Sequence, residues 1–93
     1  MRIINKVIVF KSFPYHWNLT KEGKKPFDLR YIDNKDSRFR ALTHWRPEYE
    51  NWLIKLVNTE TGGYLYYKIR DLRPIPGVRG WLIIYLGKEI KEE

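Results

Sequence analysis

The strongest constraint on this chain is the stretch 52–69. Two apolar alternating runs, Trp52–Val57 and Tyr64–Ile69, flank the segment NTETGG. Trp52, Ile54 and Leu56 fall on one face by the period of two. Asn and paired Gly supply the turn, so the spacing predicts a β-hairpin. A lone hairpin is at best marginally stable in water. Further strands must therefore cover its apolar face.

The remaining periodicities supply them. Residues 2–10, RIINKVIVF, are rich in β-branched types. Ile3, Val7 and Val9 share one face, and Ile4, Ile8 and Phe10 the other. Both faces are apolar, which predicts a strand buried on two sides. Ser12 is placed to cap a helix, with Pro14 in its first turn. Residues 14–22 then read as about two turns, with Phe13, Trp17 and Thr20 on a common face. Gly23 is the helix stop. Pro26–Ile32 alternates as a strand. Residues 33–51 are polar and poorly periodic, and read as a long loop with room for a short helix. Residues 71–80, with two Pro and two Gly, read as a connecting loop. Trp81–Leu86 is a short apolar run, read as a buried strand, and the tail 90–93 as frayed.

Five strands and one short helix predict a single α+β, mainly β domain over 1–93. A small barrel of about five strands would also remove exposed sheet edges. The length leaves little room for a second core.

Charge narrows the partners. Residues 1–46 hold eleven Lys and Arg against four Asp and Glu, while residues 47–93 hold seven of each. The whole net charge of +7 therefore lies in the first half. A lopsided positive field suits a polyanion. There is no Cys and there are only two His, His16 and His44, which argues against a metal site. The lack of Cys also favours a reducing, cytoplasmic setting. No stretch has the roughly 20 apolar residues of a membrane span. The first twelve residues lack the long apolar core of a signal peptide and read as a strand. No Gly-rich loop of the dinucleotide or P-loop kind is present, and no cofactor is expected.

Residues 11–30, KSFPYHWNLTKEGKKPFDLR, hold a tighter pattern. Pro14 opens the short helix, and His16 and Trp17 follow. Gly23, Lys25, Asp28 and Arg30 then form Gly-x-Lys-x-x-Asp-x-Arg. Asp28 and Arg30 are two apart on a strand, so they share a face at about 7 Å between Cα atoms. The plainer reading is a surface ion pair beside two solvated lysines. The functional reading is a carboxylate and a guanidinium fork presented to one planar ligand, with a lysine for phosphate.

This segment resembles the ASCH family of the PUA-like superfamily, in its phage and bacterial branch. The family's acidic position is usually Glu and here is Asp28. The Gly-Asp pair that usually leads into the next strand is missing, and 33–51 looks expanded. The resemblance implies a PUA-like barrel with a basic cleft at this motif, binding RNA or a nucleotide. On that reading the ligand-binding residues are His16, Trp17, Lys24, Lys25, Asp28 and Arg30. Arg38 and Arg40, flanking Phe39 in the expected loop, read as phosphate contacts around a stacking ring. Trp45 and Tyr49 are weaker stacking candidates, and Trp52, Trp81 and Tyr85 are expected in the core.

The resemblance also implies a hydrolase alternative. One branch of the family deacetylates N4-acetylcytidine with a Lys, a Thr and a Glu. Lys25 matches that Lys, but Asp28 stands at the Thr position and is no hydroxyl nucleophile. Lys25, Asp28 and His16 could instead serve acid–base cleavage of RNA. A third alternative is a protein-interaction factor, for instance a phage-encoded one acting on a host protein.

Overall fold

The computed structural model describes residues 6–31, 33, 35–77 and 80–91. Its elements in chain order are β1 (Lys6–Ser12), α1 (Pro14–Lys21), β2 (Phe27–Tyr31), α2 (Ser37–Thr43), β3 (Trp52–Asn58), β4 (Tyr64–Pro74) and β5 (Trp81–Ile90). The fold is α+β and mainly β, as expected. The five strands form one curled half-barrel sheet in the order β1-β3-β4-β5-β2. β1 runs parallel to β3, and the other neighbours are antiparallel.

The hairpin of β3 and β4 forms as its residues predict. Asn58 is buried, and its Oδ1 accepts from the backbone N–H of Glu60 at 2.9 Å and of Thr61 at 3.2 Å. Gly62 takes φ +75°, where a side chain would be strained. Trp52, Ile54 and Leu56 then point to one face and are buried.

Several expectations are corrected. β1 is one-sided: Ile8 and Phe10 are buried, whereas Val7 and Val9 are 48% and 43% exposed. It is an edge strand with both helices on its inner side, so its outer face meets solvent. Ile3 and Ile4 lie outside the described residues. Ser12 ends β1 and does not cap α1. The N-cap is Phe13, which lies exposed, while Trp17 and Thr20 are buried as read. β4 continues to Pro74 through two irregularities, between Tyr67 and Ile69 and between Ile69 and Asp71. Bulges bend a strand without ending its pairing. Residues 71–74 therefore pair with β5, where a loop was expected, and β5 itself reaches Ile90.

The described residues form two helices, where one was expected. α2 lies within the expected loop. Asp36 caps it, its Oδ1 accepting from Arg38 N at 2.9 Å. Phe39, Ala41 and Leu42 of α2 are buried. The core lies between the concave face of the sheet and the two helices. Phe39 meets Phe10 with ring centroids 5.9 Å apart, and Trp17 Nε1 donates to Leu56 O at 3.1 Å.

Among the described residues the barrel stays open, with β1 and β2 as its two edges. The curl nevertheless brings them face to face. The Arg30 guanidinium on β2 lies 4.6 Å from the centre of the Phe10 ring on β1.

Candidate functional site

The open seam between β1 and β2 is a cleft of about 360 Å³. Its position follows from α1. Gly23, at φ +77°, ends the helix, and the N–H groups of Lys24 and Lys25 both turn back to Leu19 O, at 2.9 and 3.3 Å. That return folds Lys25 over the helix, where Nζ lies 3.3 Å from His16 Nδ1. With Lys25 as the ammonium donor, Nδ1 accepts and Nε2 carries the ring hydrogen. Residues 27–31 then pair with β5 and form one wall.

On that wall the alternation is inverted relative to an ordinary strand. Leu29 and Tyr31 are 41% and 62% exposed, while Asp28 is buried at 5%. Asp28 faces inward opposite Ile84, a fully buried residue. A carboxylate there needs a partner. Arg30, two residues on, supplies it: Nε donates to Asp28 Oδ2 at 2.5 Å. Nε and Oδ2 are thus taken. The two Nη groups of Arg30 and Oδ1 of Asp28 make no hydrogen bond to other described residues, and they present a donor fork and an acceptor.

Four of the residues expected at the site, His16, Lys25, Asp28 and Arg30, line this cleft together. Lys11, Ser12 and Phe13 form the opposite lip, with Leu29 and Trp81 at the mouth. Trp81 was expected in the core but is 38% exposed, set edge-on to Tyr31 at 5.7 Å. It reaches the site because β5 neighbours β2, a pairing that strand propensity cannot reveal. Lys11 could have been found: the period of two in β1 sets it apart from the buried Phe10 and Ser12.

The other four lie elsewhere. Trp17 is buried and its N–H is satisfied by Leu56, so it is a core residue. Lys24 is on the surface, 3.3 Å from Glu22. Arg40 is exposed on α2 and outside the cleft lining. Arg38 is an anchor. Its Nε and Nη2 hold Asp36, its Nη1 donates to Val9 O on the edge of β1 at 2.9 Å, and its guanidinium lies 4.7 Å from the Phe10 ring. These hydrogen bonds from the Arg38 side chain, and then from its backbone N–H, hold the Asp36 carboxyl down at about 2. Phe39, expected as an exposed stacking ring, is buried at 6%. Of the weaker candidates, Tyr49 stacks on Trp52 at 5.5 Å and Trp45 packs against the core.

One signal passed unnoticed in the sequence. Asp-x-Arg occurs three times, at 28–30, 36–38 and 71–73, and each Arg Nε donates to the Asp two residues before it. Only the first pair lines the cleft. The spacing alone therefore marks a self-pairing unit and not a site.

With Asp28 matched by Arg30, the cleft's uncompensated charges are Lys11 and Lys25, and it is net positive. Ser12, His16 and the Asp28–Arg30 pair offer donors and acceptors, and Trp81 and Phe13 offer rings. Among the described residues no group of three or more His, Cys, Asp or Glu could hold a metal ion, and no helix is long and apolar enough to cross a membrane. No protein-family model matches the chain, and no curated protein matches it at a significant level.

Proposed function

We propose that the seam cleft binds RNA or a nucleotide, and that the chain is a PUA-like domain of the ASCH kind acting as a binding module in the cytoplasm. One observation carries the reading. A half-buried Asp28–Arg30 pair and two uncompensated lysines converge with an exposed tryptophan in a cleft of about 360 Å³. Each part suits one part of a nucleotide. The Arg30 fork and Asp28 Oδ1 match a base edge that carries both an acceptor and an N–H donor, as cytosine and uracil do. Trp81 offers a π-face for the base. Lys11 and Lys25 suit the phosphate.

The test is binding of uridine and cytidine monophosphates and of short RNAs, at two salt concentrations. A variant with Lys25→Ala and Arg30→Gln removes two of the three cations that line the cleft. Gln retains a donor for Asp28, so the wall should keep its shape. Loss of the charge-assisted contacts should weaken binding by about 1–3 kcal/mol. Affinity for RNA should also fall as salt rises. Equal binding by the folded variant would remove these residues from any site.

A second reading rests on the Lys25–His16 contact. His16 Nε2–H would donate its proton to the leaving 5′-oxygen of an RNA while Nδ1 takes one from the Lys25 ammonium, making the cleft a nuclease site. Cleavage of RNA that His16→Ala abolishes would establish it. Intact RNA after prolonged incubation would leave binding alone.

A further inference from the structure

The convex face of the sheet is uncovered among the described residues. Both helices lie on the concave side, α1 tied there by Trp17 to Leu56 O and by Tyr67 Oη to Thr20 O, and α2 by Phe39 against Phe10. On β1, β3 and the first half of β4, the outward positions are valines, a leucine, two tyrosines and three lysines, with no carboxylate. An uncovered sheet face of ordinary solubility mixes charges of both signs. These strand positions are aromatic, aliphatic and cationic, and Glu50 borders them at the Val7, Leu53 and Lys68 end.

Its centre is Lys55. Its Nζ lies 4.5 Å from the ring centre of Tyr64 and 5.4 Å from that of Tyr66. The two rings meet edge to face at 5.4 Å. A cation held against aromatic rings is the combination that grips single-stranded nucleic acid without reading its sequence. The charge excludes a basic partner, and the lysines would be costly to bury against a second copy of the same cationic face.

The face is also continuous with the cleft. Lys11 pairs in register with Val57, and Val57 with Tyr64. Two strand spacings separate Lys11 from Tyr64, roughly 10 Å. Lys11 itself lines the cleft. A strand leaving the cleft over the edge of β1 would pass from Lys11 across Val57 to the Lys55 and Tyr64 cluster, and none of these strand positions is a carboxylate.

We propose that the outer face of β1, β3 and β4 is a second contact for single-stranded RNA, holding the nucleotides that flank the one in the cleft, with Lys11 at the junction. This rests on the reading of the cleft given above. The probes that test it are a fluorescein-labelled oligouridylate of twelve residues and uridine monophosphate. The double variant Lys55→Ala/Tyr64→Ala alters only the outer face. It should weaken the oligonucleotide about tenfold, within what one base–aromatic stack contributes. It should also lower the salt slope by about 0.7, the loss of one phosphate contact on a single strand. Monophosphate binding should not change. The cleft variant Lys25→Ala/Arg30→Gln should weaken both probes.

If the face variant holds the oligonucleotide as well as wild type does, the outer face has no such role and the cleft reading stands alone. If the cleft variant leaves both probes unaffected, the cleft reading falls, and the track with it, whatever the face variant does. Wild type binding the oligonucleotide no more tightly than the monophosphate overturns the second contact as well. So does a dimer in sedimentation equilibrium that Tyr64→Ala dissociates, which would give the face to a second copy.

Discussion

Replacing Arg30 by Ala removes the only charged partner that Asp28 has among the described residues, and the structure bounds the cost. The Asp28 side chain is 7% exposed and that of Arg30 is 22%. A surface pair would contribute about 0–1 kcal/mol. Breaking a fully buried pair would cost about 3–5 kcal/mol, because one charge is left behind. This pair lies between those limits, since the cleft admits water to one side of it. The guanidinium also leaves the Phe10 ring, which adds about 0.5–1 kcal/mol. The expected loss is thus about 2–4 kcal/mol, within the range set by these limits. For a domain of this size that lowers Tm by roughly 10–25 °C. Urea unfolding of Arg30→Ala, Asp28→Ala and the double variant measures it. The double variant should be less destabilised than the sum of the singles, with a coupling of about 1–2 kcal/mol. An Arg30→Ala cost below about 0.5 kcal/mol, with no coupling, would show a solvent-screened pair and refute the buried wall.

Other substitutions separate structural from binding roles. Trp17→Phe should cost about 0.5–1.5 kcal/mol through the lost bond to Leu56 O and leave nucleotide affinity unchanged, as equilibrium unfolding and titration would show. Asp36→Ala removes the α2 cap and releases Arg38, so its Tm should fall by several degrees in thermal scans. Because Asp36 is held down at about 2, its contribution is complete above the ordinary carboxylate range and is lost as pH falls toward 2. The acid limb of the variant's stability curve should be flatter. Burial, reinforced by the Glu89 charge, pushes the Tyr67 hydroxyl up to about 12. Its contribution is complete below about pH 10 and is lost as pH rises through about 12. Alkaline denaturation followed by circular dichroism should therefore be blunted in Tyr67→Phe.

What the sequence revealed, it revealed through local chemistry. Asn58 and Gly62 fix the hairpin by turn geometry alone, and Gly23 fixes the end of α1 in the same way. The pairing of Asp28 with Arg30 follows from the period of two. What stayed hidden was set by neighbours distant in sequence. Val7 and Val9 look like core residues until β1 is known to be an edge strand with both helices behind it. Trp81 looks like core until β5 is known to lie beside β2 at the open seam. α2 has the acidic cap and the apolar Phe39, Ala41 and Leu42 of a helix. At seven residues, though, it is too short for periodicity to mark it, and packing on Phe10 holds it. Arg38 looked like a free cation although its ion-pair partner, Asp36, stands two residues before it; only its second acceptor, Val9 O, lies on another element. The inward placement of Asp28, with Leu29 and Tyr31 turned outward, breaks the ordinary alternation of a strand, and it falls at the cleft. Such local conflicts are expected where a site is built.

The most direct test of the central claim is a titration of isotopically labelled protein with cytidine and uridine monophosphates, followed by amide and indole shifts in NMR. The account predicts saturable shifts at Lys11, Lys25, Asp28, Arg30 and the Trp81 indole, with the Trp17 and Trp45 indoles still. An absence of shifts at these positions, or shifts confined to the separate apolar pocket of about 370 Å³ beside Trp45 and Leu42, would contradict it.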